Sequence, residues 1–262
     1  MSQIVVSDNW VTSPQGRLFV RRWQPAAAGP AAPILLLHDS LGCVELWRDF
    51  PAQLCAATGR EVIAYDRLGF GRSDRRTEPL ALDFIADEAR SFFPLLRQQL
   101  GLQQVIVFGH SVGGGMAVNI AAESGSDCLA LITVSAQAFV EQQTLDGIRS
   151  AQQQFRDPQQ FGRLQKYHGD KANRVLNAWI DTWLNPAFAN WSLAPQLPRV
   201  MCPLLAIHGE FDEYGDQRQP QMLVEHSGGP ARLEIMRDTG HIPHREQPQR
   251  LLQLVADFIA GI

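Results

Sequence analysis

The 262-residue chain has little that would tie it to a membrane, a nucleic acid or an oxidising compartment. No apolar run approaches the ~20 residues that cross a bilayer. Residues 1–10 carry no basic start, apolar segment or small-residue cleavage site, so no secretory leader is expected. Arg and Lys never occur more than two in a row and the net charge is −4, which argues against a nucleic-acid partner. Cysteine is scarce: Cys43, Cys55, Cys128 and Cys202 are widely spaced and form no Cys-x-x-Cys pair. That pattern excludes the common zinc and dithiol motifs and fits reduced, buried thiols in a cytoplasmic protein. Charged residues are only 19% against 45% hydrophobic, which excludes a mainly disordered chain. There is no internal repeat and no low-complexity tract.

What is present is a series of short apolar runs, at 34–37, 62–65, 105–108, 129–134 and 204–207. They are rich in branched residues and do not alternate with polar ones, as in strands buried on both faces. Between them, 47–57, 82–100 and 112–122 repeat apolar residues at helical spacing. Strands alternating with helices predict an α/β fold, a mostly parallel sheet with helices on both sides. An alternating stretch at 17–23 is a further strand, and 25–33, of Ala, Gly and Pro, is a linker. The chain ends with a helix near 217–226, a strand at 232–236, a loop at 237–243 and a helix over 248–259, with Pro248 in its first turn.

The alternation breaks at 137–199, which is helical in character, Gln-rich, and holds Trp179, Trp183 and Trp191. Residues 1–136 and 200–262 are expected to form the core, and 137–199 a helical cap or lid over one end of the sheet. The tryptophans either pack into a small core of the cap or line a pocket beneath it; Trp179 and Trp183 are candidate substrate contacts.

The sharpest motif is Gly109-His110-Ser111-Val112-Gly113, directly after the apolar run 105–108 and directly before a helix. Strand, tight turn and helix are the setting that G-x-S-x-G requires. The turn lifts the serine hydroxyl clear of the backbone, and side chains two residues before and after would collide. The free N–H groups of the following helix point at the site, so the Val112 N–H is a candidate oxyanion donor. A serine hydroxyl needs a base, and His241 lies where one is expected, on the loop after the last strand. The base needs a carboxylate. The loop after 204–207 offers Glu210, Asp212 and Glu213, of which Asp212 is preferred, giving the chain order Ser, Asp, His.

Five segments, 35–42, 64–74 (AYDRLGFGRSD), 109–113, 207–212 and 240–243, together resemble the α/β-hydrolase-fold serine hydrolases. Within that superfamily the chain is similar to small esterases, lactonases and C–C hydrolases of ring-fission products. The resemblance covers nearly the whole chain and implies an eight-stranded sheet with a helical lid. It implies Ser111 as nucleophile, Asp212 as acid, His241 as base, and the N–H groups of Val112 and Ser40 as oxyanion hole. One departure stands out: the family usually has His-Gly in the oxyanion loop, and this chain has His38-Asp39. The implied activity is cofactor-free cleavage of a small ester, thioester or lactone through an acyl-enzyme. Hydrolysis of a carbon–carbon bond is the alternative, and a non-catalytic ligand-binding protein on the same fold a remoter one.

The remaining candidates have plainer readings. His110 is a packing histidine or else a substrate-contacting pocket wall. His38 and His208 end strands and are expected to make structural hydrogen bonds. His241 and His244 lack a third ligand, so no metal is expected. Asp66, Arg67 and Asp74 read as loop-fixing residues. Gly113-Gly114-Gly115 lacks the lysine of a phosphate loop and reads as close helix packing. The expected partner is a small molecule; the oligomeric state is left open.

Overall fold

The apolar runs become the inner strands of one eight-stranded sheet. The computed structural model describes residues 3–26, 29 and 31–262, so the expected linker at 25–33 lies partly outside the described residues. The strands are β1 (Ile4–Ser13), β2 (Gly16–Pro25), β3 (Ile34–Leu37), β4 (Val62–Tyr65), β5 (Val105–His110), β6 (Cys128–Val134), β7 (Leu204–Gly209) and β8 (Ala231–Met236). Their order across the sheet is β1-β2-β4-β3-β5-β6-β7-β8. β2 runs antiparallel to both β1 and β4; from β4 across to β8 every pairing is parallel.

The lack of alternation has a direct cause. On β3, Ile34 and Leu36 enter one hydrophobic layer, with α1 (Phe50–Thr58) and, near the C-terminus, a long helix over 248–260. Leu35 and Leu37 enter the opposite layer, with α2 (Phe84–Asp87), α3 (Phe93–Leu100) and α4 (Val112–Ser124). Both faces are dry, so both sets of positions must be apolar. Each buried Leu or Ile contributes roughly 1.5–3 kcal/mol. A π turn, Glu88–Phe92, joins α2 to α3. The first strand, β1, carries no such signal: Ser7-Asp8-Asn9 interrupts its apolar residues. As an edge strand it leaves Val5, Val6 and Trp10 about half exposed.

Between β6 and β7 the chain forms α5 (Gln142–Gln154), α6 (Pro158–His168) and α7 (Ala172–Trp183). It leaves and returns through a narrow neck: the Leu193 N–H donates to the Ala138 carbonyl at 2.7 Å, and Phe139 bridges Ser192. At the start of α6 the Asp157 carboxylate accepts the Gln159 N–H, with Pro158 in the first turn. Ile148, Leu164, Val175, Ile180, Trp183 and Phe188 are buried and continuous with the layer holding α4. Trp191 stacks on Phe188 and meets Trp183 edge-on, with centroids 5.4 Å and 5.6 Å apart. Three further helices, α8 (Arg218–His226), α9 (Pro243–Glu246) and α10 (Pro248–Ala260), complete the described chain. Because β3, β5, β6 and β7 are parallel, the loops after them open on one edge, and the candidate residues gather there.

Candidate active site

Ser111 sits at the end of β5 with φ 54° and ψ −126°, a region non-glycine residues rarely adopt. Such a conformation costs on the order of 1–3 kcal/mol and persists only where the surroundings enforce it. Here the surroundings are backbone. A Cβ on Gly109 would lie 2.1 Å from the Gly113 carbonyl oxygen, and one on Gly113 would lie 2.3 Å from that of Leu37. The Ser111 N–H is held by the Val134 carbonyl at 2.9 Å, and α4 starts one residue later.

His241 and Asp212 are buried and directly paired: Nδ1 lies 2.8 Å and 2.9 Å from the two carboxylate oxygens. Asp212 also accepts the Tyr214 N–H at 2.8 Å. Burial on its own would push the imidazole down, but the adjacent Asp212 charge and hydrogen bond outweigh it and hold His241 above the ordinary histidine value. Likewise burial would raise Asp212, and His241 with the Tyr214 N–H brings it below the usual carboxylate range. The geometry separates the three acidic candidates. Glu210 is exposed and accepts the Asp238 N–H at 3.1 Å, and Glu213 lines the cavity without a bond to His241. With Nδ1 engaged, Nε2 is the nitrogen left for another partner.

Ser111 and His241 line one cavity of about 570 Å³, together with Ser40, Trp179, Trp183 and Tyr214. In this structure the Ser111 hydroxyl donates to Gln137 Oε1 at 3.2 Å. Val112 is the first residue of α4, so its N–H has no intrahelical acceptor, and among the described residues the Ser40 N–H donates no hydrogen bond either. The loop carrying Ser40 is pinned from behind. His38 Nε2 accepts the Arg67 N–H at 3.1 Å, which leaves its proton on Nδ1, donated to the Asp39 carbonyl at 2.8 Å. Arg67 reaches the same carbonyl at 2.7 Å. The Asp39 side chain folds back over Gly42, where a Cβ would meet its Oδ1 at 1.9 Å.

His110 does not line this cavity. It is buried, and its Nε2 donates to the His241 carbonyl at 2.7 Å. As a substrate contact it is therefore corrected: it holds the backbone of the His241 loop, because a side chain directly before the strained turn points away from the serine. His208 donates to the Gly215 carbonyl at 2.8 Å, fixing the loop that presents Asp212. Asp66 accepts the N–H groups of Val44 and Arg72 at 2.6 Å and 2.7 Å, and Asp74 accepts that of Arg17 at 2.8 Å. Trp179 and Trp183 both reach the cavity, while Trp191 stays in the hydrophobic layer.

Two residues at the site carried no signal in the sequence. Gln137 lies three residues past β6, and only the parallel pairing of β5 with β6 brings its amide to Ser111. Tyr214 packs edge-on against His241 with centroids 4.7 Å apart. Its position two residues after Asp212 is the one hint available.

A family model described as the alpha/beta hydrolase fold matches residues 32–201. The chain belongs to that family. It is 27% identical over 242 residues to mouse serine hydrolase BPHL, covering 86% of this chain and 78% of that protein. It is 25% identical to the proline iminopeptidase of Heyndrickxia coagulans, with coverage of 89% and 92%. Among solved structures, the enol-lactonase from Burkholderia xenovorans LB400 superposes with a TM-score of 0.74 at 18% identity, covering 96% of this chain and all of that one. At that identity the likeness is one of fold.

Proposed function

We propose that the protein is a serine hydrolase that cleaves a small carboxylic ester, thioester or lactone. The observation that carries this reading is Ser111 on its strained turn sharing a cavity with a His241 already oriented by buried Asp212. Curated relatives that include a serine hydrolase and an iminopeptidase support hydrolytic chemistry, and the structural likeness to an enol-lactonase supports the fold it needs.

The Ser111 hydroxyl turns from Gln137 to His241 Nε2 and gives up its proton as Oγ attacks the substrate carbonyl. The oxyanion is held by the Val112 and Ser40 N–H groups, aimed at the charge that develops. Asp212 keeps the imidazole in the right tautomer and stabilises the imidazolium. Collapse of the tetrahedral species expels the leaving group, protonated by His241. A water activated by the same histidine then frees the acid from Ser111. No cofactor or metal enters these steps. Residues 137–199 act as a lid that shapes the substrate cavity. Four free, buried cysteines support a reducing, cytoplasmic setting.

The test is hydrolysis of p-nitrophenyl esters from acetate to decanoate by wild type and Ser111→Ala. The expected result is turnover that falls on the order of 10⁵–10⁶-fold in the variant with its fold intact. Retention of most of the activity would sink the assignment.

A further inference from the structure

We infer that the cavity contains a subsite for an anionic group of the substrate, built around Arg245 with Arg48 at its rim. The substrate is then an ester, thioester or lactone that also bears carboxylate or phosphate oxygens. This rests on the serine-hydrolase reading above and adds a substrate class to it.

Four cationic side chains line the cavity, Arg48, Arg163, Lys166 and Arg245, against two carboxylates, Asp39 and Glu213. The lining thus carries more cationic than anionic side chains, while the chain as a whole carries −4. None of the four forms an ion pair among the described residues. Of the other half-buried or buried arginines, Arg21 pairs with Asp8 and Glu45 and Arg22 with Glu61, while Arg60 and Arg67 donate to backbone carbonyls instead.

Arg245 is the most constrained of the four. It lies on α9, four residues after His241, and is half-buried. Its Nη2 donates to the Leu46 carbonyl at 2.8 Å, while its Nε is buried without a partner. Burial pushes its pKa down, Asp39 opposes that shift and Arg48 adds to it, so the guanidinium is desolvated with no bonded counter-charge. Arg245 also borders a second, smaller cavity of about 10 Å³. An anion arriving with the substrate would supply the counter-charge that this guanidinium lacks. Arg48 has φ 52° and ψ −126°, the same unusual region as Ser111. It places a second, exposed cation in the lining of the same cavity.

The experiment compares p-nitrophenyl hydrogen glutarate with p-nitrophenyl hexanoate, nearly equal in size but differing by one negative charge. Wild type is expected to prefer the glutarate ester by about tenfold or more in kcat/KM, chiefly through KM. Arg245→Gln abolishes most of that preference, Arg245→Lys restores part of it, and Arg48→Gln reduces it less. Cleavage of the hexanoate ester without preference for the glutarate, or equal losses on both esters in Arg245→Gln, overturns the subsite and leaves the hydrolase reading standing. If Arg245→Gln does not fold, Arg48→Gln and competition against hexanoate by free glutarate and glycerol phosphate decide. Inhibition by either supports the subsite and says which oxyanion it takes; inhibition by neither overturns it. If wild type cleaves neither ester, protection of Ser111 from an organophosphonate by the same two anions takes the place of turnover. No labelling at all means that the hydrolase reading has failed, and the subsite with it.

Discussion

At the C-terminal edge of β3, β5, β6 and β7, the cavity floor is made of turns in which single atoms decide whether the chain closes. The wall made by α5, α6 and α7 is held by ordinary amphipathic packing. On the floor, a Cβ at Gly109 has no room and Ser111 must take a backbone conformation it would otherwise avoid. In the wall, Ile148, Leu164 and Trp183 supply buried area, and many apolar shapes would do that. The floor therefore constrains residue identity at fixed positions, while the wall constrains little beyond periodicity. A reaction type can be fixed by the first while the substrate is set by the second.

Four substitutions break or sharpen this contrast. The largest effect falls on the floor. Asp212→Asn should lower kcat by about 10⁴, equivalent to about 5.5 kcal/mol. It should also move the pH profile. His241 must be neutral to accept the proton, and Asp212 holds it above the ordinary value, so wild-type activity is lost as pH falls through a point above 6.5. With that charge gone, burial is opposed only by the weaker pulls of Glu213 and Asp39, and the acid limb shifts to lower pH. A steady-state pH–rate profile checks both, and an unshifted limb would contradict the pairing. Next, Gly109→Ala forces a Cβ against backbone and should cost on the order of 4 kcal/mol, read as a lower urea midpoint together with lost reactivity of Ser111.

The wall should respond differently. Ile148→Ala is expected to cost about 3 kcal/mol of stability. Because Ile148 borders the cavity, the optimum acyl length should rise, while labelling of Ser111 by a small organophosphonate persists. Loss of labelling would mean that wall and floor are coupled more tightly than the packing implies. The smallest effect belongs to Gln137→Ala. Its amide accepts from a serine that must turn away to react, so kcat should change by no more than about tenfold, roughly 1.4 kcal/mol. Stopped-flow acylation would show the direction.

The same contrast explains what was legible in the sequence. Ser111 and Asp212 stand out because each follows a strand whose apolar run is unmistakable and because the turn at 109–113 permits so few residues; His241 stands out only by its place on the loop after the last strand, whose polar residues break any such run. The fold class followed from the unalternating runs, whose cause is the pair of dry layers. The strand β1 has no such signature because an edge strand buries too little to impose a pattern. His110 was open to two readings since a one-residue offset decides which face of β5 a side chain meets. Gln137, Arg48 and Arg245 could not be found, because residues near 48, 137 and 245 converge only through the order in which strands lie in the sheet. Cavity lining is a property of tertiary placement, and of the residues that line it only Trp179 and Trp183 stand out in the sequence, as large apolar rings in the stretch at 137–199.

The neck at Ala138 and Leu193 has a consequence for how this protein can change. More than fifty residues hang from two adjacent backbone points in the connection between the neighbouring parallel strands β6 and β7. The entropy of closing such an excursion grows only with the logarithm of its length, about 0.6 kcal/mol per doubling. Segments of different size can thus be grafted between β6 and β7 without shifting the register of either strand or the turn that carries Ser111. In engineering terms the neck is a socket, into which a helical segment from another fold member can be grafted to reshape the cavity.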